Sequence, residues 1–364
     1  MAHIQPVSRA GFVVCACRGR EYKARDAIDA ALFRGELESI WKEFLCNMRA
    51  EQRAKELQLE LDYDAVEEKA ELFRYEHDLI TAEETERWLE DRGLTLEDFS
   101  DYFARRHWRT ALEENISPEN VDFVSASPEL RQLFTTELIF DGELNVLSKQ
   151  LMWRLAARAA NGEDSVDPKE IVTERQQFLD QNKIKAAKLS AWLARIDRDE
   201  DWLQETAAME AVFRRIRERV LNSQARKKQL AMLRMQLTRF EAEVIEVESL
   251  DAAREALFCI REDGISMAEV AAEARYPHRH ISFRHEDVPP QLQQKFWSVG
   301  PGDLLEPLAR GDGFELYQIT QKSEPDLGDT IVQERIDERL LEQYFSDLVR
   351  DHVELRLQAA PPMQ

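Results

Sequence analysis

Cysteine is scarce in this chain, with four among 364 residues, at positions 15, 17, 46 and 259. Their spacing suits neither a zinc ribbon nor a disulfide framework. Free thiols fit a reducing compartment, and a cytoplasmic location is the expectation. Glycine and proline number only 12 each, which leaves little room for a turn-rich chain and favours long helices. No apolar run approaches the length of a membrane span. The run "GFVVCAC" is too short for a secretion signal and reads as a buried strand carrying Cys15 and Cys17. Basic residues are in deficit, 49 against 71 acidic, for a net charge of −22. Phosphate repels such a chain, so a general nucleic-acid binder is excluded. No Gly-rich phosphate loop, nucleophile elbow or paired-carboxylate signature stands out, and no cofactor is expected.

What is present is helix. Hydrophobic residues make up 43% and charged residues 33%, ordinary for a soluble globular protein of about two to three domains. From Lys23 to about Leu237 the pattern is helical almost throughout. Ile28, Ala31, Leu32, Ile40, Phe44, Leu45 and Met48 form an apolar stripe at three-to-four spacing. Thr81 with Glu84, and Thr95 with Asp98, have the spacing of helix N-caps, and Gly93 that of a stop.

The pattern then recurs. "FRGEL" at Phe33–Leu37 matches "FDGEL" at Phe140–Leu144, an offset of 140 − 33 = 107. Trp88-Leu89 matches Trp192-Leu193, and Phe99 matches Leu203, each at an offset of 104. Such near-constant offsets imply a duplicated helical unit, with the Trp residues as core anchors. The copies are placed at 23–127 and 128–239, after an N-terminal segment, 1–22. "NISPENVDFVSASPEL" separates them, and "NGEDSVDPKE" is a loop inside the second.

The stretch from Arg214 to Arg239 reads as a basic helix with nine cations and one Glu. It is expected to pair with the acidic bulk of the same protein rather than with an anionic ligand. After Arg239 the order becomes β-α-α-β-α-β-β over 240–324. A final amphipathic helix and a loose tail fill 325–364, with Ile331, Ile336, Leu340, Leu341, Tyr344, Phe345 and Leu348 as its apolar stripe. His278 and His280, two apart on an extended segment, share a face as a metal pair can. No carboxylate or cysteine at a set spacing completes them, so no metal is expected. Cys259, in "ALFCI", is read as core.

The element order of 240–324 and its ending, "GPGDLLEPL" then "GDGFELYQITQKSEP", resemble a parvulin-type peptidyl-prolyl isomerase domain. The layout of helices, domain and one more helix resembles the foldase-chaperones that carry such domains. The resemblance implies a small antiparallel sheet and a final helix that packs back on the helical part. It also implies an apolar peptide-binding cleft over Val288, Leu292, Phe296, Trp297 and Tyr317. The family's last-strand His is Glu315 here, its first-strand His is absent from "RFEAEVIEV", and its Gly-Gly-Asp-Leu-Gly signature is missing.

The expectation is an α+β, chaperone-like protein that holds an extended or precursor polypeptide, for its maturation or export, with little or no isomerase activity. No nucleic-acid partner and no membrane span are expected. One rival is an active isomerase in which His280 and Tyr317 replace the missing pair. Another is a scaffold subunit that recruits a maturation enzyme or export machinery. A buried Glu315 would need a donor, expected from "PHRHISFRH".

Overall fold

The structure, a computed structural model, describes residues 11–112, 121–162 and 166–356. The first part of the separator, the middle of the loop in the second helical stretch and the tail lie outside the described residues. The architecture is α+β, mostly helical with two small antiparallel sheets. Two compact units divide the chain: residues 1–218 with 344–363, and 219–343. The second is larger than the expected 240–324.

The first unit opens with a hairpin, β1 (Val13–Cys17) and β2 (Arg20–Lys23). Among the described residues, ten α-helices follow: α1 (Ala24–Arg34), α2 (Leu37–Glu56), α3 (Tyr63–Glu76), α4 (Ala82–Glu90), α5 (Leu96–Ala111), α6 (Pro128–Phe140), α7 (Glu143–Asn161), α8 (Pro168–Gln181), α9 (Leu189–Arg195) and α10 (Glu200–Val220). The expected caps are in place. Thr81 and Glu84 form a reciprocal capping box on α4, as do Thr95 and Asp98 on α5. The stripe from Ile28 to Met48 is not continuous. Gly35 turns left-handed at φ 74° and divides α1 from α2, a conformation that costs a side chain dearly and glycine little.

The two helical runs follow one another in kind. From α1–α5 to α6–α10 the starting residues shift by 104, 106, 105, 107 and 104, as 128 − 24, 143 − 37, 168 − 63, 189 − 82 and 200 − 96. Their left-handed stops also correspond: Asp78 (φ 54°) with Lys183 (φ 53°), and Gly93 (φ 66°) with Asp197 (φ 54°). Equivalent hydrogen bonds close them, Leu79 N–H to Arg74 O with Ile184 N–H to Leu179 O, and Leu94 N–H to Leu89 O with Arg198 N–H to Leu193 O.

The aromatic packing is crossed between the runs. Phe33 of α1 stacks on Phe178 of α8 at 5.0 Å between centroids. Its counterpart Phe140 of α6 lies edge-on to Phe73 of α3 at 5.9 Å and stacks on Trp88 of α4 at 5.8 Å. Phe73 and Phe178 are themselves 105 residues apart. Both Phe33 and Phe140 are buried.

In the second unit, α11 (Ser223–Leu233) leads into β3 (Arg239–Val247). Then come α12 (Leu250–Arg261), α13 (Met267–Ala274), β4 (His278–Arg284), α14 (Pro290–Trp297), β5 (Leu308–Arg310) and β6 (Gly313–Ser323). The sheet order is β4-β3-β6-β5, all antiparallel. One face packs Phe240, Val244, Phe296 and Ile319. The other packs Ile245, Leu316, Leu257 and Met267. Gly313 opens β6 where only glycine fits, because a Cβ there would sit 2.8 Å from the Val247 carbonyl oxygen.

The last helix, α15 (Thr330–His352), starts in the second unit and ends in the first. Val332 and Ile336 pack on Leu237 in the second unit. In the first, Phe345 stacks between Trp153 and Phe213 at 5.4 Å from each. Two details of the expectation fail. Ile331 is 49% exposed, because it follows the helix start and faces away from the stripe. The segment also ends in a strand, β7 (Val353–Leu355), which completes a sheet of order β2-β1-β7. Alternating Val353-Glu354-Leu355 suits that partner better than a further helical turn.

Candidate functional site in the four-stranded sheet

Strand alternation sorts the chemistry of this sheet onto two faces. Val244 of β3 is opposite both Arg279 of β4 and Tyr317 of β6, while its neighbour Glu243 is opposite His280 and Gln318. Successive residues point to opposite faces. Arg279, Glu315 and Tyr317 therefore share the face with Phe296, and His278, His280 and Glu243 lie on the other. The pairing of His280 with Tyr317 that an active isomerase was expected to use is excluded by this register.

Glu315 is 4% exposed and fully engaged. It accepts from Arg279 Nη2 at 2.5 Å, from Arg310 Nη1 at 2.9 Å and from the Tyr317 hydroxyl at 2.6 Å. Arg279 is the donor expected from "PHRHISFRH". Its position has a second cause. Glu246 stands opposite Glu315 across β3 and β6, and like charges so placed repel. Arg279 bridges them, 3.1 Å from Glu246. Burial, followed by the hydrogen bond to Glu315, pushes the Tyr317 hydroxyl up to about 12, so it stays a neutral donor. A buried carboxylate that accepts from three donors is already engaged as a structural acceptor.

The five residues expected to grip a peptide separate. Phe296, Val288 and Tyr317 are buried, and Phe296 meets Phe240, Phe283 and Tyr317 as a core ring. Phe296 and Tyr317 are thus framework, because their side chains are already packed. Leu292 is half-buried beside them. Trp297 is 39% exposed. Its ring lies edge-on to His285 at 5.6 Å and carries Lys322 Nζ at 5.0 Å from its centre. Lys322 is tied down by the carbonyls of Trp297 and Val299, each at 2.9 Å. His285, the last histidine of "PHRHISFRH", is not a donor to Glu315: it is buried and bonded to the Gln293 carbonyl at 2.9 Å.

The basic stretch is two helices and a strand start. α10 stops at Val220 and Asn222 caps α11, since Asn competes for the next turn's N–H groups. Its cations meet carboxylates: Arg214 with Glu174 at 2.8 Å, Arg226 with Asp337 through two 2.7 Å bonds, Arg234 with Glu324, and Arg239 with Glu241 at 2.9 Å. Arg217, Lys227 and Lys228 are exposed.

Sequence reasoning missed a cavity of about 730 Å³ in the first unit, between the α1–α2 turn and α8–α9. Trp41, Leu45, Val121 and Trp192 line it. Only the fold brings these distant residues together. No helix among the described residues is long and apolar enough to cross a membrane.

No family model and no curated protein matches the chain. Solved structures do. The peptidylprolyl isomerase PrsA of Bacillus cereus is 14% identical, with 59% of this chain and 85% of that chain covered and a TM-score of 0.36. For PrsA of Bacillus anthracis the figures are 13%, 56%, 94% and 0.30. For a SurA-like chaperone of Campylobacter jejuni they are 15%, 60%, 89% and 0.20. These are what the chain is similar to.

Proposed function

We propose that this protein binds an extended or precursor polypeptide in a chaperone-like way, with little or no prolyl isomerase activity. The observation that carries the reading is the state of Glu315. An X-Pro bond rotates over a barrier of about 20 kcal/mol. Catalysis needs donors aimed at the twisted amide in a dry site. At the position where the resemblance places a histidine, this chain has a buried carboxylate saturated by Arg279, Arg310 and Tyr317. A binding surface needs no such donor. It needs an accessible aromatic and an open strand edge. Trp297 supplies the first and β4, at the end of the sheet order, the second. The test is to measure peptide affinity and cis/trans exchange on one sample, with Trp297→Ala as the binding variant.

The helical part is proposed to be a duplicated unit whose first helices are exchanged. The shared offsets, the matching left-handed stops and the crossed pairs Phe33–Phe178 and Phe140–Phe73 support this. A cytoplasmic location is supported by four free thiols. Maturation or export of the bound polypeptide, and recruitment of a partner enzyme or transporter, follow from the resemblance. Co-purification from the native cell tests them.

A further inference from the structure

We propose that Glu243, His278 and His280 bind one divalent transition-metal ion of the zinc class, on the sheet face opposite Glu315. His278 and His280 are two apart on β4 and so share a face. β3 brings Glu243 directly opposite His280. Nε2 of His278 is 3.2 Å from Oε2 of Glu243, and the two imidazole rings are 5.3 Å apart. One ligand atom from each of the three residues falls within 4.8 Å of the others.

The sequence showed two of these three ligands. The carboxylate was invisible there because it is 35 residues away and arrives through strand pairing. Two imidazoles and one carboxylate suit zinc, nickel or copper, whereas magnesium and calcium prefer all-oxygen shells. Three protein ligands leave a fourth position for water. Bonds of about 2.0–2.1 Å put tetrahedral ligand atoms roughly 3.3 Å apart. The side chains therefore draw together by about 1.5 Å, a motion that exposed His280 can make by side-chain rotation.

Glu243 and His278 are each about one-fifth exposed, at 23% and 22%. An ion there would be partly shielded from water and held on strands paired by backbone hydrogen bonds. The His280 side chain makes no hydrogen bond among the described residues, so the fold gives its imidazole no other polar task. The site is independent of the peptide-binding reading.

The test uses the full, untagged chain stripped with chelator and titrated calorimetrically with zinc chloride. One ion per chain is expected. His280→Ala and Glu243→Gln should each weaken binding by on the order of tenfold or more. Cobalt(II) in place of zinc should show the visible bands of a four-coordinate site, absent from the His278→Ala/His280→Ala double variant. Zinc should raise the melting temperature of the wild type and not of that variant. Unsaturable binding in the wild type would overturn the proposal. So would stoichiometric binding that survives the double variant. Because His280 is exposed, its single variant retains the fold and decides the matter if the double variant does not.

Discussion

Replacing Glu315 with alanine tests the polar network on the Phe296 face of the sheet. The carboxylate has three donors, and their exposure sets what each loses. Arg310 is 64% exposed, so it returns to water and its pair is worth only about 0.2–1 kcal/mol. Arg279, 41% exposed, retains Glu246 as a partner. The Tyr317 hydroxyl is different. Tyr317 is 8% exposed, and its hydroxyl would be left without its acceptor, at about 1–3 kcal/mol. Together the loss comes to roughly 1–4 kcal/mol. Glu315→Leu with Tyr317→Phe removes both polar groups and should recover most of it. Amide exchange of β3 and β6 under urea reads this sheet alone. A loss below about 0.5 kcal/mol for Glu315→Ala would refute the reasoning, as would a double variant whose cost is the sum of the singles.

The crossed aromatic pairs predict that Phe33→Ala and Phe140→Ala each cost about 3–5 kcal/mol and do so to a similar extent, read by thermal unfolding of the helical part. A large cost for one and little for the other would undo the equivalence. Arg105 Nε donates to Glu137 Oε1 at 2.7 Å with both side chains nearly fully buried. Above pH 7, Arg105→Ala should cost about 3–5 kcal/mol, while Arg105→Met with Glu137→Met should be far milder. Burial, opposed by Arg105, pushes the Glu137 carboxyl up from 4.5 to about 7. Between those values the folded chain holds the proton more firmly than the unfolded chain, so stability falls as pH rises through the window. Glu137→Gln should flatten that slope in urea melts.

Much of this fold was legible because local rules wrote it. Thr81-x-x-Glu84 and Thr95-x-x-Asp98 have capping-box spacing, and both cap helices here. The β-α-α-β-α-β-β order of the sheet unit follows from short alternating runs between capped helices. What sequence missed is what pairing across the chain decides. β7 is a strand because β1 offers it an edge. Glu243 joins the histidines only through the β3–β4 register. Phe296 and Trp297 are adjacent in sequence, yet the helix turns one inward to 2% exposure and leaves the other at 39%. The stripe from Ile28 to Met48 looked unbroken because Gly35, the break, is a single residue within it.

The central claim is that the sheet binds polypeptide without isomerising it. The most direct measurement places one purified sample in two assays, saturable binding of an unfolded peptide and cis/trans exchange of a proline peptide followed by exchange NMR. The account predicts binding that Trp297→Ala weakens by more than about 1 kcal/mol, with exchange no faster than in buffer. Acceleration comparable to an authentic parvulin, abolished by Glu315→Ala, would contradict it.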